Sequence, residues 1–201
     1  MIAVIDYGMG NLRSVHKALE KLGFEVKTTS DPETVVRAEK VVLPGVGAFA
    51  DAIRNLKDTG MSEAICEVVR SGKPFFGICL GLQLLFSESE EDGLHRGLDI
   101  IPGRVRRLPP LEKVPHMGWN QVAYSQATPL FEGIPDNSYF YFVHSYYVDP
   151  DDRGVQAATS HHGITFTCAI KRGSIFATQF HPEKSSTLGL RLLRNFGEWQ
   201  P

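Results

Sequence analysis

The sequence predicts an α/β fold, with a mixed and mostly parallel sheet covered by helices. Three observations lead there. Short apolar runs alternate with helix-periodic stretches through the first half of the chain, the pattern of strand-helix-strand units. Three of those runs end in glycine-bearing loops, at residues 6–11, 44–47 and 77–81, and such loops gather at the carboxyl edge of an open α/β sheet. From residue 98 onward the texture changes to strands and turns, punctuated by Pro102-Gly103, Pro109-Pro110, Pro129 and Pro135.

Ile2–Ile5 reads as a buried first strand. The loop after it contains Gly8-x-Gly10, but Arg13 stands where a dinucleotide fingerprint needs a third glycine. Residues 13–22 have helical periodicity through Val15, Ala18, Leu19 and Leu22, and Gly23 stops them. A strand at 25–29, a short helix opened by Asp31-Pro32, a strand at Lys40–Leu43 and helices at 48–56 and 59–70 follow, the last with Ile65, Val68 and Val69 inward. Residues 73–78 form the next strand, and the Leu- and Gln-rich run to Phe86 continues as a helix. Ser87 to Asp92 is an acidic stretch expected to be a solvated helix end and loop. Strands are expected at 139–148, 155–159, 165–171 and 174–180, and a last helix at 186–199 carries Leu190, Leu193 and Phe196. His161-His162 lacks an accompanying carboxylate and reads as a surface turn. No repeat, low-complexity tract or linker divides the chain.

A chain of 201 residues, 42% hydrophobic, suffices for one globular domain, burying roughly 70% of its unfolded surface. A net charge of −2 without a basic run gives no footprint for nucleic acid. The start, Met1 to Asp6, meets an acid at once, unlike a signal peptide, and no apolar stretch approaches the ~18 residues of a membrane helix. Cys66, Cys79 and Cys168 have neither metal spacing nor an even disulfide set, so a reduced, cytoplasmic enzyme is expected.

Chemistry centres on Gly77-Ile78-Cys79-Leu80-Gly81, the cysteine form of a nucleophile elbow at a strand-to-helix junction. Side chains at Gly77 or Gly81 would crowd that turn. A helix N-terminus favours the thiolate, and the Leu80 N–H points where an oxyanion develops in acyl transfer. A small buried core cysteine is the bland alternative, and that is the reading for Cys66. The elbow needs a base. Phe180-His181-Pro182-Glu183 supplies one, because proline keeps His181 extended and residues two apart in an extended segment project to one side. Glu183 then reaches one imidazole nitrogen while the other faces Cys79, the roles of a Cys-His-Glu triad.

Together Pro44-Gly45-Val46-Gly47, Gly77-Ile78-Cys79-Leu80-Gly81-Leu82-Gln83 and Phe180-His181-Pro182-Glu183-Lys184 resemble the class I, triad-type glutamine amidotransferases. Asp6-Tyr7-Gly8-Met9-Gly10-Asn11, Pro115-His116-Met117-Gly118-Trp119-Asn120 and Tyr141-Phe142-Val143-His144-Ser145-Tyr146 are similar to the glutaminase subunits of imidazole glycerol phosphate synthase, from histidine biosynthesis. The resemblance covers essentially the whole chain. It implies a flavodoxin-like three-layer sandwich in one domain, residues 1–201, that hydrolyses glutamine to glutamate and ammonia through a thioester on Cys79. It assigns His181 and Glu183 to the triad, Gln83, Ser145 and Tyr146 to substrate, and Gly45, Val46 and Leu80 to the oxyanion region. No cofactor or metal is implied.

The chain has no Gly-x-x-x-x-Gly-Lys phosphate loop and no second domain for a synthase, so the acceptor chemistry belongs to another polypeptide. The resemblance implies a cyclase of (β/α)8-barrel form as partner in a heterodimer, which turns the ammonia and a phosphoribulosyl precursor into imidazole glycerol phosphate and an aminoimidazole carboxamide ribotide. Asn11, Met117, Trp119 and Lys184 match positions at or near that interface, with core packing as the alternative for Met117 and Trp119. Three rival readings stand beside this one: the glutaminase of a pyridoxal phosphate or anthranilate synthase, a non-glutaminase cysteine hydrolase or stress protein, and an inactive binding module. Pro-His-Met-Gly-Trp-Asn speaks against the first, and the His-Pro-Glu and intact Cys-His-Glu set against the others.

Overall fold

A computed structural model describes residues 1–201. The first half builds β1 (Ile2–Ile5), α1 (Leu12–Lys21), β2 (Val26–Thr29), α2 (Pro32–Arg37), β3 (Lys40–Leu43), α3 (Phe49–Asp58), α4 (Met61–Arg70) and β4 (Phe75–Ile78). The boundaries have local causes. Gly23, at φ 92°, follows α1. The Asp31 carboxylate accepts from the Glu33 and Thr34 amides and caps α2, with Pro32 in the first turn. Gly60, at φ 73°, separates α3 from α4, so the helix expected at 59–70 begins at Met61.

The second half comprises α5 (Leu80–Gln83), β5 (Phe86–Ser89), β6 (His95–Arg96), β7 (Ile101–Arg107), β8 (His116–Tyr124), β9 (Ser138–His144), β10 (Tyr146–Pro150), β11 (Gln156–His162), β12 (Ile164–Arg172), β13 (Ile175–Thr178) and α6 (Ser186–Glu198). The strands order as β2-β1-β3-β4-β13-β12-β10-β7-β5-β6, and β11 links β12 to a ribbon of β8 and β9. From β2 to β13 all neighbours are parallel, with β4 between β3 and β13; beyond β13 the pairing is antiparallel except for β5 with β7.

Alternation along the parallel strands divides the core in two. Ala3, Ile5, Val41, Leu43 and Phe75 pack with α2, α3 and α4 on one face. Ile2, Val4, Val42, Phe76 and Ile78 pack with α1 and α6 on the other. Each sheet face thus buries an apolar stripe against helices, which gives the expected three layers.

Four sequence expectations are corrected here. The helix after Cys79 is a single turn, α5, because Phe86 is needed in the sheet, fully buried and paired with Ile101. The acidic stretch is not simply solvated: residues to Ser89 form β5, the Glu90 carboxylate accepts from the Arg107 amide, and Glu91 accepts from the Phe49 amide at the start of α3. The strand expected at 139–148 breaks at Ser145 into β9 and β10, which pair with different neighbours. His161 and His162 end β11, the turn being Gly163 at φ 68°, and His162 does have a carboxylate, Glu112, at 3.1 Å.

Candidate active site

Cys79 follows β4 with φ 55° and ψ −108°, a backbone conformation that side chains rarely adopt. Neighbouring contacts hold it there. Its amide donates to the Thr178 carbonyl at 2.7 Å, and its own carbonyl accepts from the Leu82 and Gln83 amides. A Cβ on Gly77 would lie 2.8 Å from the Gly81 carbonyl oxygen, so both glycines are required by close approach. Since α5 is one turn long, its dipole is small, and the directed donors matter more than the helix as a whole. Cys79 as a whole is 7% exposed; its sulfur lies 3.6 Å from the Gln179 side-chain amide and 4.0 Å from the Val143 carbonyl oxygen.

His181 comes from the loop after β13, with its amide donating to Tyr141 O and its carbonyl accepting from Ser185 Oγ. Its Nδ1 donates to Glu183 Oε1 at 2.8 Å, both side chains being 1% exposed. The contact arises differently from the sequence expectation. His181 is extended, but Pro182–Lys184 is a 3-10 turn that curls Glu183 back beneath the ring. Nε2 is buried without a formed hydrogen bond, on the side of the ring toward the Cys79 sulfur. Burial, the largest influence, depresses the imidazole; the sulfur's charge and Glu183 overcome it and push His181 up to about 10.

Beside the sulfur lies a cavity of about 330 Å³, lined by Val46, Leu80, Gln83, Ser145 and Tyr146 among others. Gln83 is buried and donates to the Tyr146 carbonyl at 3.0 Å and to Gln179 Oε1 at 3.1 Å. Ser145 sits at the break between β9 and β10, its carbonyl accepting from Leu108 N. Val46 is 39% exposed at the cavity, whereas Gly45 is packed so tightly that a Cβ there would lie 2.6 Å from the Tyr7 hydroxyl and 2.9 Å from Leu80 Cβ. Every substrate and oxyanion candidate therefore borders the cavity or the wall behind it.

Sequence reasoning missed four residues of this site. Tyr7 buries its hydroxyl without a hydrogen-bond partner against Gly45, and burial, then the Cys79 charge, raises its pKa. Gln179 bridges Gln83 and the sulfur. Glu91 and His144 line the cavity, and burial pushes the Glu91 carboxyl up. Gln179 was within reach of the residue pattern, two residues before His181 on the same strand end. The others arrive through long-range packing.

The candidate interface residues are accessible, which removes core packing as the account of Met117 and Trp119. On the β8–β9 ribbon, His116, Asn120, Phe140 and Phe142 share the face turned to the protein. Met117, 63% exposed, and Trp119, 52% exposed, are on the other. Trp119 meets the Tyr141 ring edge-on at 6.2 Å, and Lys184 Nζ stands 5.9 Å from the same ring. Asn11 precedes α1, its side-chain oxygen accepting from Ser14 Oγ.

A family model, glutamine amidotransferase class-I, matches residues 3–198. The imidazole glycerol phosphate synthase subunit HisH of Moorella thermoacetica is 57% identical, across 98% of this chain and 94% of that protein. The HisH subunit of Syntrophotalea carbinolica is 56% identical, across 98% of this chain and all of that protein. Among solved structures, a glutamine amidotransferase superposes with a TM-score of 0.73 over 98% of this chain and 97% of that one at 21% identity, a likeness of fold. With the elbow cysteine, the His-Glu pair and the cavity in their places, these findings make the chain a member of the class-I glutamine amidotransferase family, among the HisH subunits of imidazole glycerol phosphate synthase.

Proposed function

We propose that residues 1–201 work as one cytoplasmic glutaminase domain, with Cys79, His181 and Glu183 as its catalytic triad. Glutamine seats in the cavity with its side-chain carbonyl carbon at Cys79 Sγ. His181 takes the Cys79 thiol proton as sulfur attacks, and the carbonyl electrons move to oxygen, where the amides of Leu80 and Val46 are the candidates to donate hydrogen bonds. The tetrahedral species collapses as His181 delivers a proton to the departing nitrogen, releasing ammonia and leaving a glutamyl thioester on Cys79. His181 then accepts a proton from water as water attacks the thioester, and glutamate leaves with the thiol restored. Glu183 orients His181 through Nδ1 and stabilises its cation. Gln83 and the Ser145–Tyr146 segment hold the substrate's polar groups.

Ammonia set free in water would protonate and be lost to synthesis, so a cyclase subunit of (β/α)8-barrel form takes it up within a heterodimer. The face carrying Met117, Trp119 and Lys184, with Asn11, is the docking surface in this reading. What supports the reading most is the His181–Glu183 pair directed at an elbow cysteine at the end of β4. The test is glutamate release by the purified chain mixed with its cyclase subunit, the partner first recovered by co-purification from the source cell and weighed. Hydrolysis that disappears in Cys79→Ser supports the assignment; hydrolysis that survives in a folded Cys79→Ser protein rejects it.

A further inference from the structure

Behind the cavity, a buried run of hydrogen bonds crosses from β8 to the sulfur. Asn120 Nδ2 contacts His116 Nε2 at 3.1 Å, His116 Nδ1 contacts His144 Nε2 at 2.9 Å, and His144 Nδ1 contacts the Tyr146 carbonyl at 2.8 Å. The Tyr146 carbonyl also accepts from Gln83, which donates to Gln179, whose amide donates to Cys79 Sγ.

The chemistry of the partners assigns every proton. A carbonyl only accepts, so His144 carries its proton on Nδ1 and has a lone pair on Nε2. His116 must then donate from Nδ1, which leaves its Nε2 as acceptor for the Asn120 amide. Asn120 is itself oriented: its nitrogen donates to the His161 carbonyl at 2.7 Å and its oxygen accepts from the Gln121 amide at 2.8 Å. Both rings are buried, His116 lying between Phe142 and the His162 ring, and burial holds them neutral, His116 near 4 and His144 near 3.

We propose that His144, its tautomer fixed by His116 and Asn120, is a positioning residue for the glutaminase reaction, whose Nδ1 donor holds the Tyr146 carbonyl and, through it, the Gln83–Gln179 amide pair in place beside Cys79. The inference rests on the glutaminase reading above. Its content is the donor on His144 Nδ1, since without it the segment that borders the cavity loses one of the two side-chain donors that hold its carbonyl.

Two substitutions separate this role from packing. In His144→Asn the side-chain amide nitrogen takes the place of Nδ1 and keeps the donor to Tyr146. In His144→Gln the amide oxygen takes the place of Nε2, keeping an acceptor for His116 while the donor to Tyr146 is lost. In the complex with the cyclase subunit, His144→Asn stays within about twofold of the wild type. His144→Gln loses about ten-fold in kcat/KM, the equivalent of one ordinary hydrogen bond, carried by KM. Equal loss in both variants, or none in either, overturns the assignment. Independently of any variant, nitrogen-15 NMR of the wild-type chain must show His116 and His144 both protonated on Nδ1 and not on Nε2; a proton on Nε2 of either ring overturns it. Absence of glutamine hydrolysis in the wild-type complex would instead reject the glutaminase reading, which this spectrum does not depend on.

Discussion

A Cβ added to Gly81 would stand 1.9 Å from the carbonyl oxygen of Leu43, at the end of the neighbouring strand β3. The elbow is thus wedged against the strand that leads into Pro44-Gly45-Val46-Gly47, and the cysteine cannot relax without moving that loop. Gly81→Ala is expected to cost about 3 kcal/mol of unfolding free energy, at the upper end for overpacking, and to take glutamine hydrolysis with it. Gly23→Ala meets open space and suffers only its backbone strain at φ 92°, about 1 kcal/mol. Urea unfolding of both measures the contrast; equal losses would contradict the wedge.

The elbow and the His-Pro-Glu segment were legible in the sequence because each is a local arrangement fixed by neighbours two residues away. So were the parallel strands, whose apolar runs are short and bounded. What escaped was set by distant partners. The Leu-rich run after Cys79 suits a helix on its own, but Phe86 is more stable in the sheet opposite Ile101. Ser87 to Asp92 looks solvated until Glu91 finds the Phe49 amide at the start of α3. Ser145 is unremarkable within a β-prone run, yet there the chain leaves the β8–β9 ribbon for the main sheet. His116, His144 and His162 meet only through the folding of three separated segments.

The three cysteines should differ sharply toward a glutamine-like electrophile. Cys79 borders the cavity, whereas Cys168 is fully buried and Cys66 half-buried, and burial pushes both of those thiols up, away from the reactive form. Peptide mapping after labelling should place the adduct on Cys79 alone. An adduct on Cys66 or Cys168 at comparable rate would remove Cys79 as nucleophile.

Glu183→Gln should reduce kcat by about 10²-fold and leave KM near its original value, because the lost stabilisation belongs to the transition state. Unchanged turnover would make the carboxylate a bystander. The imidazole supplies a pH signature. His181 is raised from 6.5 to about 10, so its contribution to stability is complete below pH 6.5 and is lost as pH rises through about 10. Cys79→Ser removes the strongest influence that raises it and leaves burial opposed by Glu183 alone. The His181 titration, followed by NMR, should move to lower pH in that variant, and the loss of stability should begin earlier. An unmoved titration would mean that the sulfur's charge is not what the ring senses.

Trp119→Ala should weaken binding to the cyclase subunit about 30-fold, the effect of a buried aromatic anchor, while the isolated chain keeps its melting temperature. Met117→Ala and Lys184→Ala should have smaller effects of the same sign. Calorimetric titration with the cyclase subunit reads all three; unchanged affinity in Trp119→Ala would move the interface elsewhere.

Glutamine hydrolysed in the absence of a partner yields ammonia with no acceptor. Wasteful hydrolysis is avoided if the resting oxyanion site is incomplete, and the Gly45–Val46 peptide is where it would be completed, with Val46 at the cavity and Gly47 at φ 112°. A missing oxyanion donor costs about 10²–10³ in rate. The direct measurement is glutamine turnover by the chain alone, then with the cyclase subunit, then with the cyclase subunit and its nucleotide ligand. Turnover should rise by about 10² or more from the first arm to the last; full turnover by the isolated chain would show that its oxyanion site is already complete at rest.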